Sequence, residues 1–289
     1  MTPSVLSKSL RGDDKKAFLE GELEWRDKRD KEMRAPTSWL NIAGLFWLKE
    51  GENRFGTEEN NPIMLPERSA PPLAGSFFLK DGKVTVSAEP GIPLKINGNT
   101  VQKSELKGDD TGNPDIVELN DLRLWVIERF GQYAIRMRDL NHPPYKKYKG
   151  LDFFPPNAKY KIQADFFPYP ETKKVEVGTV VGKNTEINAI GYVTFKIDGK
   201  AYRLEASSVG PKTLYFIFGD ETNGKETYEA SRFMSARILE SGKVDLNFNR
   251  AFNPPCAYTP FATCPLPPSQ NQLKTQILAG EKKYPDSPH

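Results

Sequence analysis

Residues 77–86 read FFLKDGKVTV, two short runs of strand-forming side chains joined by Asp81-Gly82. Aspartate and glycine tolerate the positive φ that a two-residue hairpin turn demands, so the stretch predicts a pair of antiparallel strands. The same signal recurs downstream. LKINGNTV (94–101) turns at Asn97-Gly98, and LRLWVIERFGQYAIRM (122–137) turns at Phe130-Gly131-Gln132. Consecutive hairpins of this kind are the pattern of an all-β fold.

Upstream, Asp13–Arg34 has an acidic start, no proline before Pro36, and Phe18, Leu23 and Trp25 as apolar anchors. It predicts an amphipathic helix packed on the body of the protein. WLNIAGLFWL (39–48) is too apolar for an exposed helix, which puts Trp39, Phe46 and Trp47 in the expected core. Beyond Arg138-Asp139-Leu140-Asn141-His142-Pro143-Pro144, the aromatic and proline-rich YKKYKGLDFFPPNAKY (145–160) leads into further strands at 160–169, 173–182, 188–207 and 213–220, with Asp198-Gly199 as another hairpin turn. The expected organisation is a helix within 1–35, an antiparallel β domain over 36–140, and a second antiparallel barrel or sandwich over 141–289. In SQNQLKTQILAGEKKY (269–284), Leu273, Ile277 and Leu278 fall at helical spacing with Gly280 as a cap, which predicts a short C-terminal helix.

The bulk properties narrow the function. The chain has 289 residues, 37% hydrophobic and 27% charged, the balance of a globular protein long enough to bury a sizeable core. Its net charge is +3 and its lysines are dispersed, so it lacks the electrostatic footprint of a nucleic-acid binder. No run approaches the length of a membrane helix, and MTPSVLSKSLRGDDKK lacks the apolar core of a signal peptide; a cytoplasmic protein is expected. With two cysteines and two histidines, His142 and His289, there is little material for four-ligand zinc or for a Ser/His/Asp triad. No metal or cofactor is expected.

Two resemblances follow from particular residues. From Leu45 to Ile127, an early GENRFG (51–56), the Ile96-Asn97-Gly98 turn, Leu106 followed by KGDD, and a closing LRLWVI (122–127) resemble a forkhead-associated domain. The resemblance implies a β-sandwich and a protein-interaction module. Such domains read phosphothreonine through an arginine after a glycine, a serine and a histidine. Here Arg54 precedes Phe55-Gly56, and no serine and histidine pair stands between Leu65 and Val84, so a sandwich without that site is expected. Further on, FGDETNGKETYEASRF (218–233) and LNFNRAFNPPCAYTPFATCPLPPSQNQLKTQILAGEK (246–282) are similar to the bacterial and archaeal family known as domain of unknown function 1684. The likeness extends back to residues 39–56 and 135–143. That family implies no activity, so the site has to be read from the side chains themselves.

RFMSARIL and KVDLNFNRAF flank Glu240-Ser241-Gly242 and predict a hairpin with Met234, Ala236, Ile238, Val244, Leu246 and Phe248 on one face. Period two adds Arg232 and Arg250 to that face. Guanidinium groups beside an apolar surface need carboxylates or an anionic ligand, and Asp220, Glu221 and Glu226 make an internal ion-pair network as good a reading as a ligand site. Cys256 sits in the rigid Asn253-Pro254-Pro255-Cys256 loop, where it suits a wall residue or a nucleophile; Arg250 would lower its pKa, and His142 is the internal histidine a base would require. For Cys256 and Cys264 a disulfide, a soft metal and simple packing are all open. Asp220, Glu226 and Asp245 supply an acid/base pair in a hydrolytic reading with Tyr228 as auxiliary donor, although Asp220–Gly224 also reads as a turn. Arg136, Arg138 and Asp139 form a further charged cluster. The leading expectation is a small anionic ligand held by Arg232, Arg250, Asn253 and Tyr228 with Cys256 on the wall. A hydrolase using Cys256 or the Asp220/Glu226 carboxylates, and a protein-interaction role for the first β domain, are the alternatives.

Overall fold

The computed structural model of the chain describes residues 12–288. The first eleven residues of the expected N-terminal segment, and the terminal His289, lie outside the described residues. The chain forms two compact units, one over Arg34–Tyr148 and one that joins 12–33 to 149–288.

The Arg34–Tyr148 unit is built from eleven strands: β1 (Ile42–Trp47), β2 (Gly51–Gly56), β3 (Ile63–Met64), β4 (Gly75–Lys80), β5 (Lys83–Ala88), β6 (Lys95–Ile96), β7 (Asn99–Thr100), β8 (Lys103–Leu106), β9 (Val117–Leu119), β10 (Leu122–Arg129) and β11 (Gln132–Asp139). They make two sheets, ordered β1-β11-β10-β9-β6-β7 and β3-β2-β4-β5-β8. Phe55, Phe77 and Val86 from one sheet and Val117, Leu124 and Ile135 from the other share a single buried cluster, so the unit is a β-sandwich. The tight turns follow the sequence reading. Lys80 pairs with Lys83 around Asp81 (φ 49) and Gly82 (φ 74), and Ile96 pairs with Asn99 around Asn97 (φ 50) and Gly98 (φ 85). Trp47 departs from the core expectation: it is exposed and lies 6.3 Å from the Phe130 ring, because β1 is an edge strand and its last residue reaches past the sandwich interior. Arg136 and Asp139 are buried in this unit, and the Arg138 guanidinium lies 5.0 Å from the Trp125 ring. His142 donates from Nδ1 to the Leu40 carbonyl at 2.8 Å, since a carbonyl can only accept.

The other unit opens with helix α1 (Gly12–Met33) and continues with β12 (Lys161–Gly178), β13 (Asn184–Ile197), β14 (Lys200–Gly210), β15 (Thr213–Asp220), β16 (Arg232–Ile238), β17 (Lys243–Asn247) and β18 (Gln272–Leu273). The order β14-β13-β12-β17-β16-β15 is closed by a further β14–β15 pairing, which makes a six-stranded antiparallel barrel; β18 adds to β15 in parallel. A barrel this narrow is filled by its own side chains. Val193, Leu204, Phe216, Met234, Leu246 and Phe248 occupy the interior.

The expected C-terminal helix is absent from the described residues. Ser269–Asn271 form a 3-10 turn, Gln272–Leu273 form β18, and an extended path follows. The cause lies in backbone groups that a helix would pair internally. Ile277 N–H donates to Asp220 at 3.2 Å, and the Ile277 and Ala279 carbonyls accept from Arg232. The buried pair therefore holds the segment extended.

Helix α1 docks differently from the expected apolar stripe. Leu23 is 59% exposed, while Glu22 and Met33 are buried, with Phe18, Trp25, Arg26 and Arg29 partly so. The inward face runs at helical spacing but carries charges.

Candidate functional site

Inward charge on α1 is tolerable because residues 247–281 supply its partners. The Glu22 carboxylate accepts from Asn247 Nδ2 at 2.8 Å and from Arg250 Nε at 3.2 Å. Two turns along, Arg29 Nε meets Glu281 at 2.8 Å, and Glu281 has no solvent exposure. The other Glu281 oxygen accepts from the Tyr258 hydroxyl at 2.8 Å and from Asn253 N–H at 2.7 Å. Burial opposes the Arg29 charge, but Glu281 and Tyr258 outweigh it and hold its pKa above the ordinary range. Burial first, then Glu281, pushes the Tyr258 hydroxyl well above its usual pKa.

Between α1 and the barrel lies a cleft of about 220 Å³ lined by Trp25, Lys28, Arg29, Glu32, Ser235, Arg250 and Phe252. Trp25 and Phe252 give it flat apolar walls, and three cations face one carboxylate. Arg29 is engaged at its Nε by Glu281 and lies 3.8 Å from Glu32. Arg250 spends Nε on Glu22 and one terminal nitrogen on the Gly21 carbonyl, while its side chain remains 36% exposed. Lys28 is exposed and makes no hydrogen bond or ion pair among the described residues.

The residues singled out in the sequence divide into three groups. Arg232 does lie on the interior face with Met234 and Ala236, but it is fully buried, paired with Asp220 at 2.6 Å and bonded to the Ile277 and Ala279 carbonyls. Arg250 does not share that face: β17 stops at Asn247 and a 3-10 turn over Phe248–Arg250 swings the guanidinium toward α1. Asp220 is saturated, its second oxygen accepting from Thr222 N–H, the Thr222 hydroxyl and Ile277 N–H. Glu226 is exposed and Asp245 half-buried, opposite Arg237 in the β16–β17 pairing. Asp220–Gly224 forms the turn that its composition suggests, with Asn223 N–H bonded to the Asp220 carbonyl.

Tyr228, Cys256 and Asn253 are buried. Cys256 and Cys264 are reduced thiols, and the Cys256 N–H points at Cys264 Sγ at 3.3 Å. Hydrogen bonds from Cys264 and then Tyr228 hold the Cys256 pKa below its ordinary value against the opposing effect of burial. Burial, followed by the contact with Cys256, pushes the Tyr228 hydroxyl up. Asn253 donates to the Lys282 carbonyl at 2.8 Å.

Three residues escaped the sequence reading. Lys28, Arg29 and Glu281 lie in charged stretches that look solvated, and only the i, i+4, i+7 spacing of Glu22, Arg26 and Arg29 could have marked one helix face. Among the described residues no group of three His, Cys, Asp or Glu side chains is placed to hold a metal, and no helix is long and apolar enough to cross a membrane.

No curated protein matches the chain. Among solved structures, an uncharacterized protein of Haloarcula marismortui is 29% identical, over 49% of this chain and 80% of that one, with a TM-score of 0.39. The FHA-2 domain of a Mycobacterium tuberculosis ABC transporter is 19% identical, over 47% of this chain and 93% of that one, with a TM-score of 0.25. A family model described as "Protein of unknown function (DUF1684)" matches residues 146–282, the stretch that carries the barrel and the partners of α1. Over that stretch the chain is similar to the DUF1684 family.

Proposed function

We propose that this protein binds a small anionic molecule in the cleft between α1 and the barrel. One observation carries the reading: the cleft of about 220 Å³ sets three cations, Lys28, Arg29 and Arg250, against the single carboxylate of Glu32. Arg29 is largely committed to Glu281, which leaves Lys28 and the exposed part of Arg250 as the groups that meet a ligand's charge. Trp25 and Phe252 favour a flat apolar portion, and the Ser235 hydroxyl offers a polar contact. The volume is below the roughly 300–1,000 Å³ of pockets for drug-sized ligands, which points to a compact molecule. The saturated Asp220 and the buried Cys256 favour binding over hydrolysis as the reading.

A thermal-shift series with inorganic phosphate, sulfate, benzoate and phenyl phosphate tests it. A ligand at a hundredfold excess over its Kd stabilises the fold by about 2.7 kcal/mol, so a bound anion raises Tm measurably. Lys28→Glu reverses one exposed charge without touching a buried partner, and the ligand-dependent shift should shrink or vanish while the ligand-free Tm holds. An equal shift in wild type and Lys28→Glu would place any binding elsewhere.

A further inference from the structure

The cleft leaves the two cysteines unused, and their surroundings are unlike those of cysteines that merely fill space. Both are reduced, both are buried, and they approach each other across an eight-residue separation. Donors converge on the sulfurs. The Cys256 N–H is directed at Cys264 Sγ at 3.3 Å, the two thiols are hydrogen-bonded, and the Tyr228 hydroxyl bonds the Cys256 thiol. The backbone N–H directed at Cys264 Sγ favours the Cys264 thiolate, which is the form that reacts.

The loop geometry is also fixed in advance. Pro254 and Pro255 open a 3-10 turn at Pro255–Ala257, Ala257 N–H bonds the Pro254 carbonyl, and the Cys264 carbonyl accepts from Val180 N–H. Pro265 bridges Thr179 on the far side. Closing a ring between the two sulfurs therefore costs little further chain entropy.

We propose that Cys256 and Cys264 form a dithiol–disulfide couple whose oxidant is a small hydroperoxide. Cys264 is 6% exposed and Cys256 not at all, so Cys264 meets the oxidant first. Its thiolate attacks one peroxide oxygen: an S–O bond forms, the O–O bond breaks, and the hydroxide released takes up the proton Cys264 gave up, leaving water. The Cys256 sulfur then attacks the sulfenic sulfur; the S–S bond forms, the S–O bond breaks, and the departing oxygen leaves as water with the Cys256 proton. Two thiols and one hydrogen peroxide become one disulfide and two waters, sulfur being oxidised and the peroxide oxygens reduced. A larger oxidant such as a glutathione disulfide does not reach sulfurs this enclosed.

Full-length protein is exposed to hydrogen peroxide with its near-ultraviolet circular dichroism followed throughout, then denatured, alkylated with iodoacetamide and weighed intact. The expected product has lost two hydrogens, takes up no alkyl group, and regains two alkylation sites after dithiothreitol. In Cys256→Ser, Cys264 should stop at the sulfenic acid and be trapped by dimedone; in Cys264→Ser, Cys256 should stay unmodified behind its wall. Wild-type protein that keeps both alkylation sites while its fold is intact, or that carries a sulfinic acid on one cysteine with the other still alkylated, would overturn the proposal. So would a disulfide that appears only after the dichroism signal is lost.

Discussion

Arg232 has no solvent exposure, and neither has the Asp220 carboxylate that it meets at 2.6 Å. Withdrawing two ions this far from water is costly, and their attraction offsets the cost only when the remaining donors and acceptors are filled as well. Backbone groups of residues 277–279 fill most of them, although Arg232 Nε has no partner among the described residues. Arg232→Met should cost about 3–5 kcal/mol in urea unfolding, because it strands a buried carboxylate. Adding Asp220→Asn should recover about 1–3 kcal/mol relative to the sum of the single changes; strict additivity would mean the two are not coupled. The tyrosines give a pH dependence. Burial raises the pKa of Tyr215, Tyr228 and Tyr258 above the ordinary 10.0. Each then holds its proton in the folded state after the unfolded chain has released it. Their stabilisation is complete below about pH 10 and falls as pH rises above that value, by up to about 1.4 kcal/mol per pH unit for each tyrosine. Unfolding midpoints measured from pH 8 upward should be flat and then drop; a flat profile to strong alkali would contradict it.

Helix α1 shows why charge in a sequence is ambiguous at the level of an element. Glu22, Arg26 and Arg29 lie among acidic and basic neighbours that do face water, and only their i, i+4, i+7 spacing separates the two sets. Their partners, Asn247, Arg250, Phe154 and Glu281, lie more than a hundred residues away. Leu23, the natural anchor by composition, points outward. Leu23→Ala should therefore change stability by less than about 0.5 kcal/mol, the range of surface substitutions. Arg29→Met should cost about 3–5 kcal/mol by leaving Glu281 buried and unpaired. A larger loss from Leu23→Ala than from Arg29→Met would refute this docking. The hairpins, in contrast, were legible because Asp81-Gly82, Asn97-Gly98 and Asp198-Gly199 carry their turn geometry in two adjacent residues. The C-terminal segment was not. Leu273, Ile277 and Leu278 have helical spacing, but distant Arg232 and Asp220 claim the backbone groups that a helix needs.

At the scale of the whole chain, one unit is continuous and the other is assembled from both ends. Residues 34–148 have their own buried core, so expressed alone they should fold cooperatively. Residues 149–288 without α1 leave Glu281 and Asn247 without their helix partners and should be markedly less stable than the same segment supplied with 12–33. Circular dichroism melts of the three polypeptides check both expectations. The site was partly readable for the same reason: Arg250 lies within the family segment, whereas Lys28 and Arg29 come from the opposite end of the chain. The most direct measurement is a phenyl phosphate titration of isotope-labelled full-length protein followed by NMR. Saturable shifts of the Trp25 indole N–H and of the Lys28, Arg250 and Phe252 amides are expected, all reduced in Lys28→Glu. Saturable shifts confined to other residues, or none for any anion of the series, would contradict binding in the cleft.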